Sequence, residues 1–385
     1  MTYVQTWTLR SRRTAHALFP TQAARKNGHT TQYDGNGTDR YTRLSDALMN
    51  KFTRRHFLQQ SFSFSALALL ASKGVLQAEA FAQVAPAPDS HHLFAVGDWG
   101  DENSQTQQKA VAAAMLGYKA KNNLTVENLL MLGDNWYGWL FGGEKSERWK
   151  SQFEDMYPAS AFPGKCYAVL GNHDYEKRPS SKAEAQLAYA AEAHSRWTMP
   201  NRWYTFQFPE SQPLIRVLAL DSNFPETRER GFLHNPTLIQ SQVDEQLTWL
   251  KNELAKPSQA PFTVVMAHHP IFSNGDHGDT PALIRDWNKL LLDNRVHLYL
   301  CGHDHDLQHL EFEGSPMSYV ISGGGGAALH PLKISPARRG PYGMQVAGFT
   351  HLEVSASQMT IRQIDSSGAV LHSFVKYPDG RVALG

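Results

Sequence analysis

Five short polar motifs constrain this chain more than any other feature. Each follows an apolar run and ends in side chains that carry oxygen or nitrogen donor atoms. In chain order they are Gly97-Asp98-Trp99-Gly100, Gly133-Asp134-Asn135-Trp136-Tyr137, Gly171-Asn172-His173-Asp174, Val265-Met266-Ala267-His268 and Gly302-His303-Asp304-His305. One such motif alone is typical of an ordinary turn after a strand. Five of them between residues 97 and 305 predict loops that meet at a common site.

The donor atoms of these motifs are those that hold metal ions in proteins. Asp98 and Asp134 each follow a glycine, which allows the backbone to turn so that the carboxylate points out of the strand. A carboxylate has enough lone pairs to bridge two cations, and Asn172 adds a neutral oxygen. The nitrogen ligands would come from three histidines, His268, His303 and His305, with His269 as the alternative to His268. The motifs therefore predict two metal ions held side by side.

Tyr137, three residues after Asp134, indicates which kind of ion is present. A phenol has a pKa of about 10 and binds as phenolate to a hard, highly charged ion, which favours ferric iron over zinc. Two carboxylates and a phenolate around one trivalent and one divalent ion leave a net charge of about +2, which suits a phosphate dianion. Two ions about 3.5–4 Å apart can hold phosphate oxygens while one acidifies the attacking water. We therefore expect phosphoryl hydrolysis at acid pH, because a trivalent ion acidifies water strongly.

Predicted strands and helices alternate up to about residue 300, and mostly strands follow. The helices are expected at 104–121, where Ser104-x-x-Gln107 is typical of a capping box, and at 143–156, 181–197, 236–255 and 281–292. The strands are expected at 92–96, 128–132, 167–170, 203–208, 214–220, 262–266, 296–300, 317–321, 351–354, 359–363 and 370–375. This order predicts an α/β fold, a two-sheet β-sandwich flanked by helices. In such folds the loops after the carboxyl ends of the strands carry the site, and all five motifs fall there.

The first 82 residues are expected to lie outside the catalytic domain, which would span 90–385. Residues 1–48 are polar and basic without a hydrophobic period, which predicts a disordered leader, or an untranslated one if Met49 is the initiator. The run Thr53-Arg54-Arg55-His56-Phe57-Leu58, followed by an apolar stretch over 61–76, predicts a twin-arginine signal peptide over 49–82. An amphipathic helix that stays attached is the alternative. The expected partner is the twin-arginine export machinery, and the expected location is periplasmic or secreted.

Composition argues against several classes of partner. The formal net charge is +1, from 37 Lys and Arg against 36 Asp and Glu, so no nucleic-acid partner is expected. The apolar stretch 61–76 is too short and too polar for a stable membrane anchor. Cys166 and Cys301 are the only cysteines. We expect two buried thiols, and a disulfide between neighbouring strands stays open.

In this order the motifs resemble the purple acid phosphatases, and in particular their small single-domain class, over residues 92–365. Wider metallophosphoesterases begin with Asp-x-His. Here Asp98-Trp99-Gly100 lacks the histidine and Tyr137 replaces it, which points to the purple branch. The resemblance implies the metallophosphoesterase βαβαβ sandwich and a dinuclear centre of Fe(III) with a second, divalent ion, which would be iron, zinc or manganese.

The resemblance also implies which residue binds which ion. The ferric ion would be held by Asp98, Tyr137, His305 and a bridging Asp134. The second ion would be held by Asp134, Asn172, His268 and His303. His173 and His277 would contact the substrate, and one of them would protonate the leaving group.

We therefore expect an exported acid phosphatase that hydrolyses small phosphate monoesters by in-line attack of metal-bound hydroxide. A phosphodiesterase or nucleotidase on the same centre is the first alternative. Basic residues near the site would favour it, and Arg178, Arg338 and Arg339 are the candidates. A non-catalytic metal- or phosphate-binding protein is a weaker alternative, because no ligand position is broken.

Three further features near the motifs have structural interpretations. Asp174 is assigned to loop structure only. Asp221 would either brace the site loops or cap a strand. The glycine run Gly323–Gly326 lacks the lysine and the helix of a phosphate-binding loop, so it is expected to allow close backbone packing near the site.

Overall fold

The structure is a computed structural model that describes residues 89–176, 182–227 and 237–385. The expected leader and signal peptide, residues 1–82, lie outside the described residues, as does Arg178. Within the described ranges, no helix is both long and apolar enough to cross a membrane. The predicted α/β sandwich is confirmed, since two mixed sheets lie together with helices on their flanks.

The strands of the described residues are numbered in chain order. They are β1 (His91–Val96), β2 (Val126–Met131), β3 (Cys166–Ala168), β4 (Trp197–Thr198), β5 (Tyr204–Phe208), β6 (Ile215–Ala219), β7 (Phe262–Met266), β8 (Leu298–Cys301), β9 (Leu307–Leu310), β10 (Ser318–Ser322), β11 (Pro341–Met344), β12 (Gly348–Val354), β13 (Met359–Asp365), β14 (Val370–Lys376) and β15 (Val382–Leu384).

Each sheet contains a run of parallel strands beside antiparallel ones. The first sheet has the order β15-β14-β13-β12-β1-β2-β3-β4, in which β1 to β4 are parallel neighbours. The second has the order β11-β9-β10-β8-β7-β6-β5, in which β6, β7, β8 and β10 are parallel. The loops after β1, β2 and β3 therefore leave one edge of the first sheet together. The loops after β7 and β8 likewise leave one edge of the second sheet together. All five motifs are therefore at the carboxyl ends of parallel strands.

The helices on the flanks agree with the sequence prediction only in part. They are α1 (Thr106–Lys121), α2 (Lys182–Ala190), α3 (Gln240–Ala255), α4 (Pro281–Leu283) and α5 (Lys289–Asp293), with a π-helical turn at Ile284–Asn288 between the last two. The predicted capping box at α1 is wrong, because Gln105 occupies the cap position without a side-chain hydrogen bond. Gln107 instead donates from Nε2 to the carbonyl oxygen of Ala327 at 2.6 Å, which joins α1 to the segment after the glycine run.

The predicted helix at 143–156 is replaced by irregular turns. A 3₁₀ turn covers Gly143–Lys145, and a π-helical turn covers Trp149–Glu154. Gly142 and Gly143 have φ values of +88° and +59°, which a right-handed helix cannot include. The local backbone thus prevents the continuous helix that the apolar spacing indicated.

The short strand β9 was missed because its sequence is too polar for an interior strand. Gln308 and His309 are nevertheless buried, since their side chains are paired. Gln308 donates to Asp306, and His309 lies 2.7 Å from a carboxylate oxygen of Glu311. Burial of polar groups is tolerated when hydrogen bonds replace water, and short-range sequence patterns do not show those partners.

The prediction of two buried thiols is confirmed. Cys166 belongs to the first sheet and Cys301 to the second, and both are buried and unlinked. Burial raises the pKa of the Cys166 thiol to about 12, so this thiol is held neutral.

The two sheets approach each other closely where the first and fifth motifs meet. A Cβ atom on Gly97 would lie 3.2 Å from the Cα atom of Gly302, so a side chain there would crowd both loops. The amide of Gly97 donates to the carbonyl oxygen of Ser322 at 2.8 Å. This contact joins the first sheet to β10 and brings the loop of Asp98 against the loop of His303.

Candidate metal centre

The first group of candidate ligands comes from three loops. The hydroxyl oxygen of Tyr137 lies 3.1 Å from Oδ1 of Asp98 and 2.9 Å from Nε2 of His305. The same Asp98 oxygen is 3.4 Å from His305 Nε2. Donor atoms about 3 Å apart have the spacing expected around one ion with bonds of about 2.0–2.2 Å. We call Asp98, Tyr137 and His305 the tyrosine group.

The second group lies beside the first and contains Asn172, His268 and His303. The side-chain oxygen of Asn172 is 2.9 Å from Nε2 of His268 and 3.1 Å from Nδ1 of His303. The two imidazole nitrogens are 3.2 Å apart. We call this set the asparagine group. Its donors are neutral, whereas the tyrosine group carries a carboxylate and an ionisable phenol.

Asp134 lies between the two groups. Its Oδ2 is 3.4 Å from Nε2 of His268, and its Oδ1 accepts the backbone amide of His173 at 2.8 Å. An oxygen of Asp134 also lies within 4.8 Å of donor atoms of Asp98 and His305. This carboxylate therefore lies near donors of both groups, as a bridging ligand would.

The backbone is strained at three of the candidate ligands. The φ values are +60° at Asp98, +48° at Asp134 and +73° at His303. Residues other than glycine rarely adopt this backbone conformation. Sequence analysis assigned the turn of the first motif to Gly97, but Asp98 itself has the positive φ, and Gly97 serves the close approach of the sheets. Strain of this kind persists only where the surroundings fix it, and it clusters at functional sites.

Backbone carbonyl groups orient two of the histidines. Nδ1 of His268 is 3.0 Å from the carbonyl oxygen of Leu132, and Nδ1 of His305 is 2.6 Å from that of Ala328. Each Nδ1–H therefore donates to a carbonyl, and each Nε2 faces the centre. This is the usual way in which a protein fixes the tautomer of a metal-binding histidine.

His269, the alternative to His268, faces a different partner. Its Nδ1 lies 2.8 Å from the hydroxyl oxygen of Ser222, and its backbone amide donates to the same oxygen at 2.9 Å. The contacts with Asn172 and Asp134 belong to His268. The geometry favours His268 as the ligand.

Electrostatics in the centre suit a bound cation. Burial opposes ionisation of Asp134, but His268 and His173 outweigh it and hold the pKa of this carboxyl below its usual range. Burial, followed by the charges of Asp134 and Asp98, raises the pKa of Tyr137 well above its usual value. A phenol in this position would need a strong positive charge beside it to ionise, which a trivalent ion supplies. The donor set, with its anionic oxygens and imidazoles, fits two metal ions.

The two candidate substrate histidines each have a carboxylate at Nδ1. Nδ1 of His173 is 2.9 Å from Oε1 of Glu176, and Nδ1 of His277 is 3.0 Å from Oδ1 of Asp304. The His173 ring lies 4.3 Å from the Tyr137 ring, between centroids, and the His277 ring lies 4.1 Å from that of His303. The structure thus brings one histidine to the side of each ligand group.

Sequence analysis missed the residues that support these two histidines. Asp304 belongs to the fifth motif but had no role; its Oδ1 also accepts the backbone amide of His277 at 2.9 Å. Glu176 follows His173 by three residues, a spacing that could have indicated a contact. His330 stacks on His305 with ring centroids 3.9 Å apart, and nothing in its surrounding sequence predicts this position.

Two buried carboxylates brace the loops that carry the ligands. Asp174 accepts the backbone amides of Gly171, Asn135 and Trp136 at 2.9–3.1 Å, so it ties the second motif to the third. Asp221 accepts the hydroxyl of Tyr175 and the amide of Asn223, which favours the bracing interpretation over a strand cap.

The glycine run packs as predicted. A Cβ on Gly323 would lie 2.1 Å from the backbone oxygen of Asp304, and one on Gly325 would lie 2.3 Å from that of Gly97. Only glycine allows the first and fifth motifs to approach this segment so closely.

Several known proteins are similar to this chain in sequence or in fold. The calcineurin-like phosphoesterase family matches residues 88–307. Tartrate-resistant acid phosphatase type 5 of Mus musculus is 30% identical over 302 residues, which cover 74% of this chain and 90% of that protein. Purple acid phosphatase 17 of Arabidopsis thaliana is 29% identical over 343 residues, which cover 84% and 96%. The structure of purple acid phosphatase PPD1 from yellow lupin (Lupinus luteus) seeds aligns with a TM-score of 0.57 at 16% identity, over 76% of this chain and 55% of that one.

These similarities extend over most of the chain and of both curated relatives. The predicted family and the predicted class of enzyme are therefore confirmed. This chain belongs to the calcineurin-like phosphoesterases and, within them, to the purple acid phosphatases, which are phosphoric monoester hydrolases.

Proposed function

We propose that this protein is an exported acid phosphatase that hydrolyses small phosphate monoesters at a dinuclear centre of Fe(III) and a divalent ion. The position of the Tyr137 hydroxyl, 3.1 Å from Asp98 and 2.9 Å from His305, carries the proposal. A phenol among a carboxylate and an imidazole is a donor set for ferric iron. Asp98, Tyr137, His305 and Asp134 would hold that ion, and Asp134, Asn172, His268 and His303 would hold the divalent one.

When both ions are bound, they would hold phosphate oxygens and acidify the water that attacks phosphorus. The protein's own residues supply the rest. His173 and His277 lie at opposite groups, so a substrate between them would meet an imidazole on each side. Their Nδ1 atoms are hydrogen-bonded to the carboxylates of Glu176 and Asp304, and each Nε2 would then face the substrate. With both ring nitrogens protonated, as in an imidazolium, one Nε2–H would hydrogen-bond the phosphate, and the other would give its proton to the leaving oxygen.

The surroundings of the site favour a monoester over a larger anionic substrate. Arg339 pairs with Asp279 at 2.5 Å, and its guanidinium lies over the ring of Phe272. Its charge is therefore balanced within the protein. Of the three arginines that would favour a phosphodiesterase or nucleotidase, Arg339 therefore gives no support to that alternative.

Rates with 4-nitrophenyl phosphate and with bis(4-nitrophenyl) phosphate test this function. We expect hydrolysis of the monoester with an optimum at acid pH and much slower hydrolysis of the diester. A faster diester reaction would contradict the monoesterase proposal, and activity with neither ester would contradict hydrolysis itself.

Export is a separate proposal, and it depends on Arg54 and Arg55 within the predicted signal over 49–82. The twin-arginine route carries folded proteins, so the metal ions could be bound before export. Replacement of both arginines by lysine should keep the protein in the cytoplasm of a bacterial host. Unchanged export of that variant would contradict the twin-arginine route.

A further inference from the structure

A buried lysine lies beside the candidate centre although it ligates nothing there. The Lys182 side chain is 1% exposed, and its Nζ donates to Oε2 of Glu176 at 2.7 Å and to the carbonyl oxygen of Gly138 at 2.8 Å. Lysine is almost never fully buried unless it is paired, because removing the charge from water is costly.

Stability alone does not explain this lysine. A buried ion pair is often no more stabilising than apolar side chains of similar volume. Lys182 is moreover the first residue of α2, where the helix dipole disfavours a cation. Because a lysine is unfavourable both in a buried position and at the start of a helix, helix stability does not explain its presence here.

The contacts of Lys182 tie together three segments that meet at the site. Gly138 follows the candidate ligand Tyr137, Glu176 ends the turn that carries His173, and Lys182 begins α2. Glu176 in turn places Oε1 at 2.9 Å from Nδ1 of His173. A chain of three hydrogen bonds therefore runs from the backbone beside Tyr137 to the imidazole of His173.

This chain of contacts determines which nitrogen of His173 a substrate can meet. An acceptor carboxylate at Nδ1 holds the proton on that nitrogen and directs Nε2 away from Glu176. The Tyr137 ring packs against the imidazole, with ring centroids 4.3 Å apart, and limits its rotation. These two contacts fix the orientation of the ring, just as hydrogen-bond partners orient the histidines that bind metal ions.

We propose that Glu176 and Lys182 are positioning residues for His173: Glu176 orients the imidazole, and Lys182 fixes Glu176 relative to the segment of Tyr137. This inference rests on the proposed function, in which His173 contacts the substrate. His277 has a simpler arrangement, in which Asp304 is paired with the neutral hydroxyl of Ser273.

A double-mutant cycle on the metal-loaded protein tests this. Glu176→Gln should lower kcat/KM for 4-nitrophenyl phosphate by about 10–100-fold, mainly through kcat, with the metal content unchanged. In a His173→Ala background the same substitution should have almost no further effect, because a positioning residue acts only through the residue it positions. Equal losses in both backgrounds would overturn the proposal.

Two further variants separate positioning from folding. Glu176→Gln/Lys182→Met removes both buried charges, so it should recover the Tm lost in Glu176→Gln while its activity stays low. Recovery of activity together with Tm would overturn the proposal. Glu154→Gln breaks the partly buried pair with Arg196 (2.7 Å) and is the matched control; it should keep its activity. A Glu176→Gln loss no larger than that of this control would also overturn the proposal. A wild-type protein without phosphatase activity would instead refute the proposed function, and the inference with it.

Discussion

The tyrosine group and the asparagine group lie side by side but differ in charge. The first combines the carboxylate of Asp98 and the phenol of Tyr137 with one imidazole, whereas the second combines the neutral amide of Asn172 with two imidazoles. Anionic oxygens favour a hard, highly charged ion, and neutral nitrogen donors suit a divalent one. Under the proposed function, the difference teaches how one centre would hold two unlike ions, with Asp134 as the carboxylate shared between them.

Removal of the shared carboxylate should have the largest effect. Asp134→Ala takes an anionic oxygen from both groups, so we expect both ions and all phosphatase activity to be lost. Metal analysis and a rate assay on the same sample check this. Turnover by a variant that lacks Asp134 would show that the two groups do not depend on a bridge.

Asn172→Ala should affect the asparagine group alone. We expect loss of the divalent ion and retention of iron, because no ligand of the tyrosine group changes. A metal ion contributes several kcal/mol to the transition state, so the rate should fall at least about 100-fold. Metal analysis that shows equal loss of both ions would mean that the groups are not separable.

Tyr137→Phe is the opposite experiment. It removes the phenolate and keeps the ring, so the protein should stay folded and lose its visible absorption, while the asparagine group keeps its divalent ion. Absorption spectroscopy with circular dichroism as the folding control checks this. A variant that retains the visible band would remove Tyr137 from the ligand set.

The metal-free protein should show a pH dependence that comes from His268. Burial alone would lower the pKa of His268, but the charge of Asp134 raises it to about 10. Since the folded pKa lies above the usual 6.5, this group's contribution to stability is complete below about pH 6.5 and is lost as pH rises through about 10. After chelation, Tm should fall more steeply over this range in the wild type than in His268→Asn. Parallel slopes would contradict the assigned pKa shift.

The smallest effect is expected from a residue that braces both groups equally. Asp174→Asn places an amide where backbone amides need an acceptor, which should cost about 1–3 kcal/mol of stability. Denaturant unfolding measures the loss. The ratio of the two bound metals should stay unchanged, because the substitution favours neither group; a changed ratio would show that Asp174 acts on one ion.

The sequence predicted that the five motifs meet, because each follows a buried strand. The apolar runs before Asp98, Asp134 and His268 are short and clear, and parallel neighbours bring their carboxyl ends to one edge. The fold class followed from the same alternation of strands and helices. Most of the architecture could therefore be predicted from local sequence patterns.

What the sequence could not predict depends on contacts between distant segments. His330, which follows β10, reaches His305, which precedes β9, and its backbone amide donates to the carbonyl oxygen of His305. Lys182 and Gly138 are 44 residues apart and meet only in the folded chain. Strain at Asp98 was also hidden, because a preceding glycine suggests that the glycine makes the turn. Local patterns contain no information on such partners.

The visible absorption spectrum of the purified protein, with metal analysis on the same sample, tests the central claim most directly. We expect a broad absorption band from charge transfer between the Tyr137 phenolate and iron, and about one iron with one divalent ion per chain. A colourless protein that holds two divalent ions would contradict it, since the tyrosine group would then bind the same kind of ion as the asparagine group.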